Sequence, residues 1–301
     1  MSFEIILPFL KPIAHLLASK TVSEIMINPD GSIWVEEQGH ITLQSGVRFD
    51  DGALLTGLEV IANRFGKKLD AHSPILNLRL PDGSRMAALI QPVVHPQPMM
   101  TIRKFTSRDF TMDDLIDRQM LNAEQAEQLV DAVRSGDNLL ISGGTGAGKT
   151  TLANVIAGFI PDADRILILE DVAELYIRKP HVISAEAQLD THKSQIGFAD
   201  LLRAALRHRP DRIIVGEIRG VEARVFVDAL NTGHRGSLTT IHANGAEDAL
   251  HRLAQLALRG SGGVSLKDVE EECRRSIDIV VHVAKVDGVR AVQELVRIRT
   301  S

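Results

Sequence analysis

The sequence is short of the residues that several classes of protein need. It has one cysteine, Cys273, in 301 residues. A single thiol allows no disulfide within the chain and no all-cysteine zinc site, which fits a reducing compartment. Aromatic residues make up 4%, and Trp34 and Tyr176 are single instances. Broad stacking surfaces for single-stranded nucleic acid are therefore not expected. Long apolar runs are missing too. The longest stretch without Asp, Glu, Lys or Arg, Met86 to Ile102, is broken by Pro92, Pro96 and Pro98. A spanning helix needs about 20 apolar residues, so no membrane span is expected. The start, Met-Ser-Phe-Glu, lacks the basic region of a signal peptide. The expected location is the cytoplasm. An excess of positive charge is absent as well: 34 basic residues face 39 acidic ones, a net charge of -5. Residues 1–102 hold 8 basic and 10 acidic residues, so neither half is basic. That argues against a dedicated nucleic-acid domain and against stable sequence-specific binding.

What is present suffices for a globular core: 44% of the residues are hydrophobic and 24% charged. The length suggests two domains. Residues 9–19 read as a short helix, followed by strands over 22–28 and 32–36 around the turn Asn28-Pro29-Asp30-Gly31. A third strand is expected at 40–44, then a helix capped by Asp50 or Asp51 and running to about Gly66. Strands at 75–80, 85–90 and 99–105 complete a mixed α+β domain over residues 1–105. The polar stretch 106–120 reads as a linker, with a short helix capped by Thr111. Asn122 caps a further helix that ends at Gly136. From there strand-like and helical runs alternate, the pattern of a parallel sheet covered by helices. The fold class is α/β, with residues 121–301 as the larger domain. Helices at 246–258 and 265–275 and a hairpin around Asp287-Gly288 close it.

Gly143-Gly-Thr-Gly-Ala-Gly-Lys149-Thr150 matches the pattern G-x-x-x-x-G-K-[ST], between an apolar strand and the helical run that begins at Thr151. The glycines let the amides of Gly143, Gly144, Thr145, Gly146, Ala147 and Gly148 converge on phosphate oxygens. Lys149 reaches the β and γ phosphates, the Thr150 hydroxyl suits magnesium, and the helix N-terminus adds a favourable dipole. A nucleotide site for ATP and Mg2+ is expected.

Two acidic groups follow strands in the same domain. Glu217 ends the run Arg212-Ile-Ile-Val-Gly-Glu217, and no Asp stands at that place to hold magnesium. Glu217 is expected to orient or deprotonate the attacking water, to bind magnesium through water, or both. Glu174 lies in the acidic box Glu170-Asp-Val-Ala-Glu174. It reads either as a water or magnesium contact or as a solvated carboxylate. His242, in Gly233–Asn244, is a candidate sensor of the γ-phosphate, with a structural histidine as the alternative. Arg85 and Arg103 read as strand arginines that lean over a nucleotide or stay solvated.

Together these boxes resemble the secretion-type traffic ATPases, the ring ATPases of type II and type IV secretion and of pilus assembly. Val22–Glu36 looks like the conjugative-transfer branch of TrbB-type ATPases. The absence of a cysteine-rich insertion fits the type IV branch. The resemblance implies a RecA-like P-loop ATPase domain and a homohexameric ring. It implies nucleotide sites that use arginines of the N-terminal domain, and partners in an inner-membrane secretion complex. It further implies a motor that energises conjugative DNA transfer, type IV secretion or pilus assembly. The alternative is a ring-shaped DNA translocase or helicase acting directly on DNA, which the charge balance disfavours.

Overall fold

A computed structural model describes residues 6–37, 39–49, 52–104, 110–171, 173–187, 196–286 and 288–299. The chain divides into two compact units, Met1–Arg108 and Asp109–Ser301.

The N-terminal unit enters through a 3-10 stretch, Leu7–Ile13, and a short helix α1 (Ala14–Ala18). Strands β1 (Val22–Ile27) and β2 (Ile33–Glu37) follow, then β3 (His40–Leu43) and helix α2 (Ala53–Arg64). Strands β4 (Ile75–Arg79), β5 (Arg85–Leu89) and β6 (Met99–Arg103) complete it. The β1–β2 turn closes where Gly31 takes φ +78 and its N–H donates to Asn28 O at 2.9 Å. The six strands form one sheet in the order β3-β2-β1-β6-β5-β4, every pair antiparallel. Alternate residues, among them Ile25, Ile27, Met86, Met100 and Ile102, join Leu54, Leu58 and Ile61 of α2 in one core. The helix begins after Gly52, which has a left-handed backbone. Asp50 and Asp51, expected as its cap, lie outside the described residues.

The stretch expected as a linker is in part a folded element. Residues 105–109 lie outside the described residues, but helix α3 (Met112–Asp117) belongs to the second unit. Thr111 caps it as expected: its hydroxyl accepts from Asp114 N–H at 3.1 Å, and Asp114 Oδ2 accepts from Thr111 N–H at 2.8 Å. Leu115, Met120 and Leu121 are buried in the core of that unit, so 110–120 is not a free spacer. Helix α4 (Ala123–Ser135) has the same reciprocal cap from Asn122 and Gln125 and stops at left-handed Gly136.

The second unit continues with β7 (Leu139–Gly143), α5 (Lys149–Ala157), β8 (Ile166–Glu170), β9 (Val182–Glu186) and α6 (Phe198–Ala205). Then come β10 (Arg212–Val215), α7 (Glu222–Asn231), β11 (Leu238–Ile241), α8 (Ala246–Leu258) and α9 (Leu266–Ser276). The hairpin β12 (Ile279–Val286) and β13 (Val289–Arg297) ends it. The sheet order is β13-β12-β7-β11-β10-β8-β9, parallel throughout except for β13. The central strands β7, β8, β10 and β11 are buried on both faces, as a helix-covered parallel sheet requires. Leu140, Leu167, Ile213, Val215 and Ile241 face the core of α6 to α9. Leu139, Ile141, Ile168, Ile214 and Leu238 face that of α3 to α5.

Candidate functional site

The sheet order brings the carboxyl ends of β7, β11, β10 and β8 side by side, and each end carries a group singled out in the sequence. Such an edge is where open α/β sheets bind ligands. The loop after β7 needs its glycines. Gly143 has φ +154, and a Cβ there would stand 2.2 Å from Val283 O on β12. Gly146 and Gly148 are left-handed at φ +69 and +104. Gly144, Thr145 and Gly146 are exposed, whereas Ala147 is packed inward and anchors the loop. Lys149 opens α5 and is buried; its Nζ donates to Gly143 O and Gly144 O, each at 3.0 Å. Burial lowers the Lys149 pKa; Glu217 and Glu174 oppose that shift and Arg219 adds to it. Thr150 and Thr151 follow in the first turn of α5.

The acidic side is built by β8 and β10. Glu170, buried at the end of β8, accepts from Glu174 N–H at 2.9 Å and Leu175 N–H at 3.0 Å through Oε1. This folds the acidic box back, so that Glu174 Oε2 accepts from the Thr150 hydroxyl at 3.2 Å. Glu170 fits only because residue 216 is glycine: a Cβ there would stand 2.7 Å from Glu170 Cγ. Thr240 on β11 donates its hydroxyl to Gly216 O at 2.8 Å, and Ile218 N–H donates to Thr240 O at 2.9 Å. Glu217 is thus held between two fixed neighbours. Its Oε2 accepts from Arg219 at 2.6 Å. Its Oε1 comes within 2.9 Å of His242 Nε2, yet without hydrogen-bond geometry, and is buried without a hydrogen bond. Burial, then the charge of Lys149, hold the His242 pKa below the usual imidazole range. Lys149, Glu174, Glu217 and His242, expected together, are together.

The opposite flank of the loop is made by a strand that sequence reasoning did not connect to it. Arg290 on β13 donates its Nε to Gly146 O at 2.8 Å. A Cβ on Gly148 would stand 3.1 Å from Met120 Cε and 3.5 Å from Arg290 Cδ. Met120 also lines a cavity of about 450 Å3 with Ile116, Gln125, Ala291 and Val292.

In the N-terminal unit, Arg85 and Arg103 are directly opposed on β5 and β6, and Arg79 on β4 is opposed to Arg85. Glu24 on β1 faces Arg103 from the other side. The row runs along the sheet face away from the core. Arg79 was missed because only the strand register reveals it. Glu170, Thr240, Arg219 and Arg290 were missed as well. For Arg219 a signal existed: it stands two residues after Glu217 on an extended segment, which puts both side chains on one side.

Among the described residues no group of three or more His, Cys, Asp or Glu is placed to hold a metal, and no helix is long and apolar enough to cross a membrane. The family model described as Type II/IV secretion system protein matches residues 9–296. The conjugal transfer protein TrbB of Rhizobium radiobacter is 38% identical over 287 residues, covering 94% of this chain and 85% of its own length. The type IV secretion system protein VirB11 of Bartonella quintana is 31% identical over 330 residues, covering 97% and 92%. Among solved structures, the VirB11 ATPase of Brucella suis is similar with a TM-score of 0.53, 26% identity and 97% of each chain covered.

Proposed function

The chain belongs to the type II/IV secretion system family, and from that premise we propose that it is a Mg2+-dependent ATPase motor that energises conjugative transfer, type IV secretion or the associated pilus assembly. One observation carries the site assignment. The strand ends bring Lys149, Glu174, Glu217 and His242 to one edge, where a buried Glu217 oxygen makes no hydrogen bond. An unsatisfied buried carboxylate oxygen beside a phosphate loop is where an attacking water belongs.

The triphosphate lies along the amides of Gly143 to Thr150. Lys149 Nζ leaves the carbonyls of Gly143 and Gly144 for the β and γ phosphates. The donor set suits Mg2+, a hard cation that keeps several waters and takes few protein oxygens. Thr150 Oγ1 and Glu174 Oε2, 3.2 Å apart, are the oxygens that would hold it, with Glu217 reaching it through water. When bound, the metal draws charge from the phosphate oxygens. Glu217 orients the attacking water and takes its proton. The water oxygen bonds to the γ-phosphorus as the bond to the β–γ bridging oxygen breaks, giving ADP and inorganic phosphate. His242, kept neutral, contacts the γ-phosphate. The acidic groups mark the γ-phosphate end, so the base leaves on the other flank, towards the cavity at Met120.

The arginine row of the N-terminal unit is read as a phosphate contact delivered to a neighbouring copy in a ring, with six copies as the expected number. Three arginines in register on one sheet face support that reading, because the planar guanidinium suits the paired oxygens of a phosphate. Inner-membrane components of the secretion complex are the expected partners, holding the protein at the cytoplasmic side. Phosphate release from Mg-ATP tests the site. Lys149→Ala is expected to abolish it, and near-normal release from this variant would defeat the assignment.

A further inference from the structure

Arg219 occupies the middle of the acidic side and has no part in the chemistry above. Its backbone is fixed: the N–H groups of Arg219 and Gly220 donate to Glu222 Oε1 at 2.7 and 2.6 Å, and Glu222 is buried in the first turn of α7. The guanidinium end is different. It donates to Glu217 Oε2 at 2.6 Å on a side chain that is 65% exposed. The residue is anchored at its root and open to solvent at its tip.

Its charge reaches every group around the γ-phosphate position. The hydrogen bond to Glu217, then the charges of Glu217, Asp171 and Glu174, raise the Arg219 pKa, so it stays charged at any working pH. The same charge adds to the lowering of the pKa of both Lys149 and His242. A guanidinium bound to the water-activating carboxylate is a conflict. It occupies one oxygen and balances the charge that would draw a proton from water. A γ-phosphate beside Lys149 is a competing anion with more charge and paired oxygens, which suit the planar fork of arginine. ADP offers no such group there.

We propose that Arg219 senses the γ-phosphate from within the chain: without nucleotide or with ADP it latches Glu217, and with ATP it moves to the γ-phosphate and frees Glu217 for the water. The proposal rests on the assignment of Gly143 to Thr151 as the ATP site and of Glu217 as the water-activating group. It makes Arg219 a determinant of the preference for triphosphate over diphosphate.

The test is binding by the full-length chain, with Mg2+, of ADP and of the non-hydrolysable β,γ-imido analogue of ATP. Arg219→Ala is expected to lose about tenfold or more in affinity for the analogue, the scale of a charge-assisted hydrogen bond. Its ADP affinity stays within about twofold, which also shows that the variant is folded. Arg219→Lys recovers part of the loss. Glu217→Gln loosens the latch and tightens the analogue but not ADP, and that gain disappears in the double variant Glu217→Gln/Arg219→Ala. An unchanged preference in Arg219→Ala overturns the proposal. So does equal weakening of both nucleotides, or a gain from Glu217→Gln that persists without Arg219. Lys149→Ala separates the two levels. If it loses both nucleotides while Arg219→Ala keeps the preference, only the latch fails. If it keeps both, the site assignment itself fails.

Discussion

Glu217 meets two opposite demands: the ion pair with Arg219 holds one oxygen, and the other is buried beside His242 with no hydrogen bond. Glu217→Gln keeps the shape and removes the charge. Nucleotide binding is expected to survive while turnover falls by about 100-fold or more, the scale of a lost general base. Binding and single-turnover rates measured side by side check this, and equal loss of both points to a structural role. His242 gives a pH prediction. The folded state resists its protonation, because burial and the charge of Lys149 disfavour a further cation. The unfolded chain binds that proton at about pH 6.5, so the contribution of His242 to stability is complete above that value and declines as the pH falls below it. Melting temperature against pH for the nucleotide-free protein is expected to fall less steeply on the acid side in His242→Asn than in the wild type. Parallel curves would mean that His242 protonates as easily in the folded state as in the unfolded chain.

At the scale of elements, the phosphate loop is held from two sides. β7 and β12 pair so closely at Gly143 and Val283 that no Cβ fits, and Arg290 of β13 holds the Gly146 carbonyl. Arg290→Ala is expected to raise the KM for ATP by about three- to tenfold, the scale of one hydrogen bond to a partly exposed group, with little change in kcat. A kcat loss with an unchanged KM would place Arg290 in the chemistry instead. Much of the element order was legible because the signals are local. The reciprocal caps at Thr111 and Asn122, the left-handed stop at Gly136 and the turn at Gly31 are each set by a few neighbouring residues. The edge strand β9 was not legible. Its residues Val182-Ile-Ser-Ala-Glu186 are half-buried or exposed, and the strand exists through pairing with β8. Nor was the fate of 110–120 legible, since the burial of Leu115 and Met120 depends on partners such as Val292, whose N–H donates to Met120 O at 2.7 Å. The loop lysine and Glu217 were readable because strand, turn and helix announce them in sequence. Glu170, Thr240 and Arg290 act across the sheet, at distances the chain order hides. Arg212 is a further case: its guanidinium donates to Asp164 at 2.7 Å and fills the space that a Cβ on Gly236 would need.

At the scale of the whole molecule, the ring reading turns on the arginine row of the N-terminal unit. Arg79, Arg85 and Arg103 are opposed strand to strand, with Glu24 beside Arg103. Arg103 is exposed at the end of β6, away from the core, so with Arg103→Ala this sheet is expected to fold normally. Its ATPase activity is expected to fall, and to stay flat with protein concentration where the activity of the wild type per subunit rises as copies assemble. The most direct measurement mixes two full-length variants, each expected to be impaired alone, and follows phosphate release from Mg-ATP. Lys149→Ala keeps the arginine row and loses the loop lysine; Arg103→Ala does the reverse. If one copy completes the site of the next in a closed ring, an equal mixture recovers up to about one quarter of the wild-type rate, because that share of random neighbours pairs an intact loop with an intact arginine. A mixture no more active than the sum of the two variants alone would contradict the shared site.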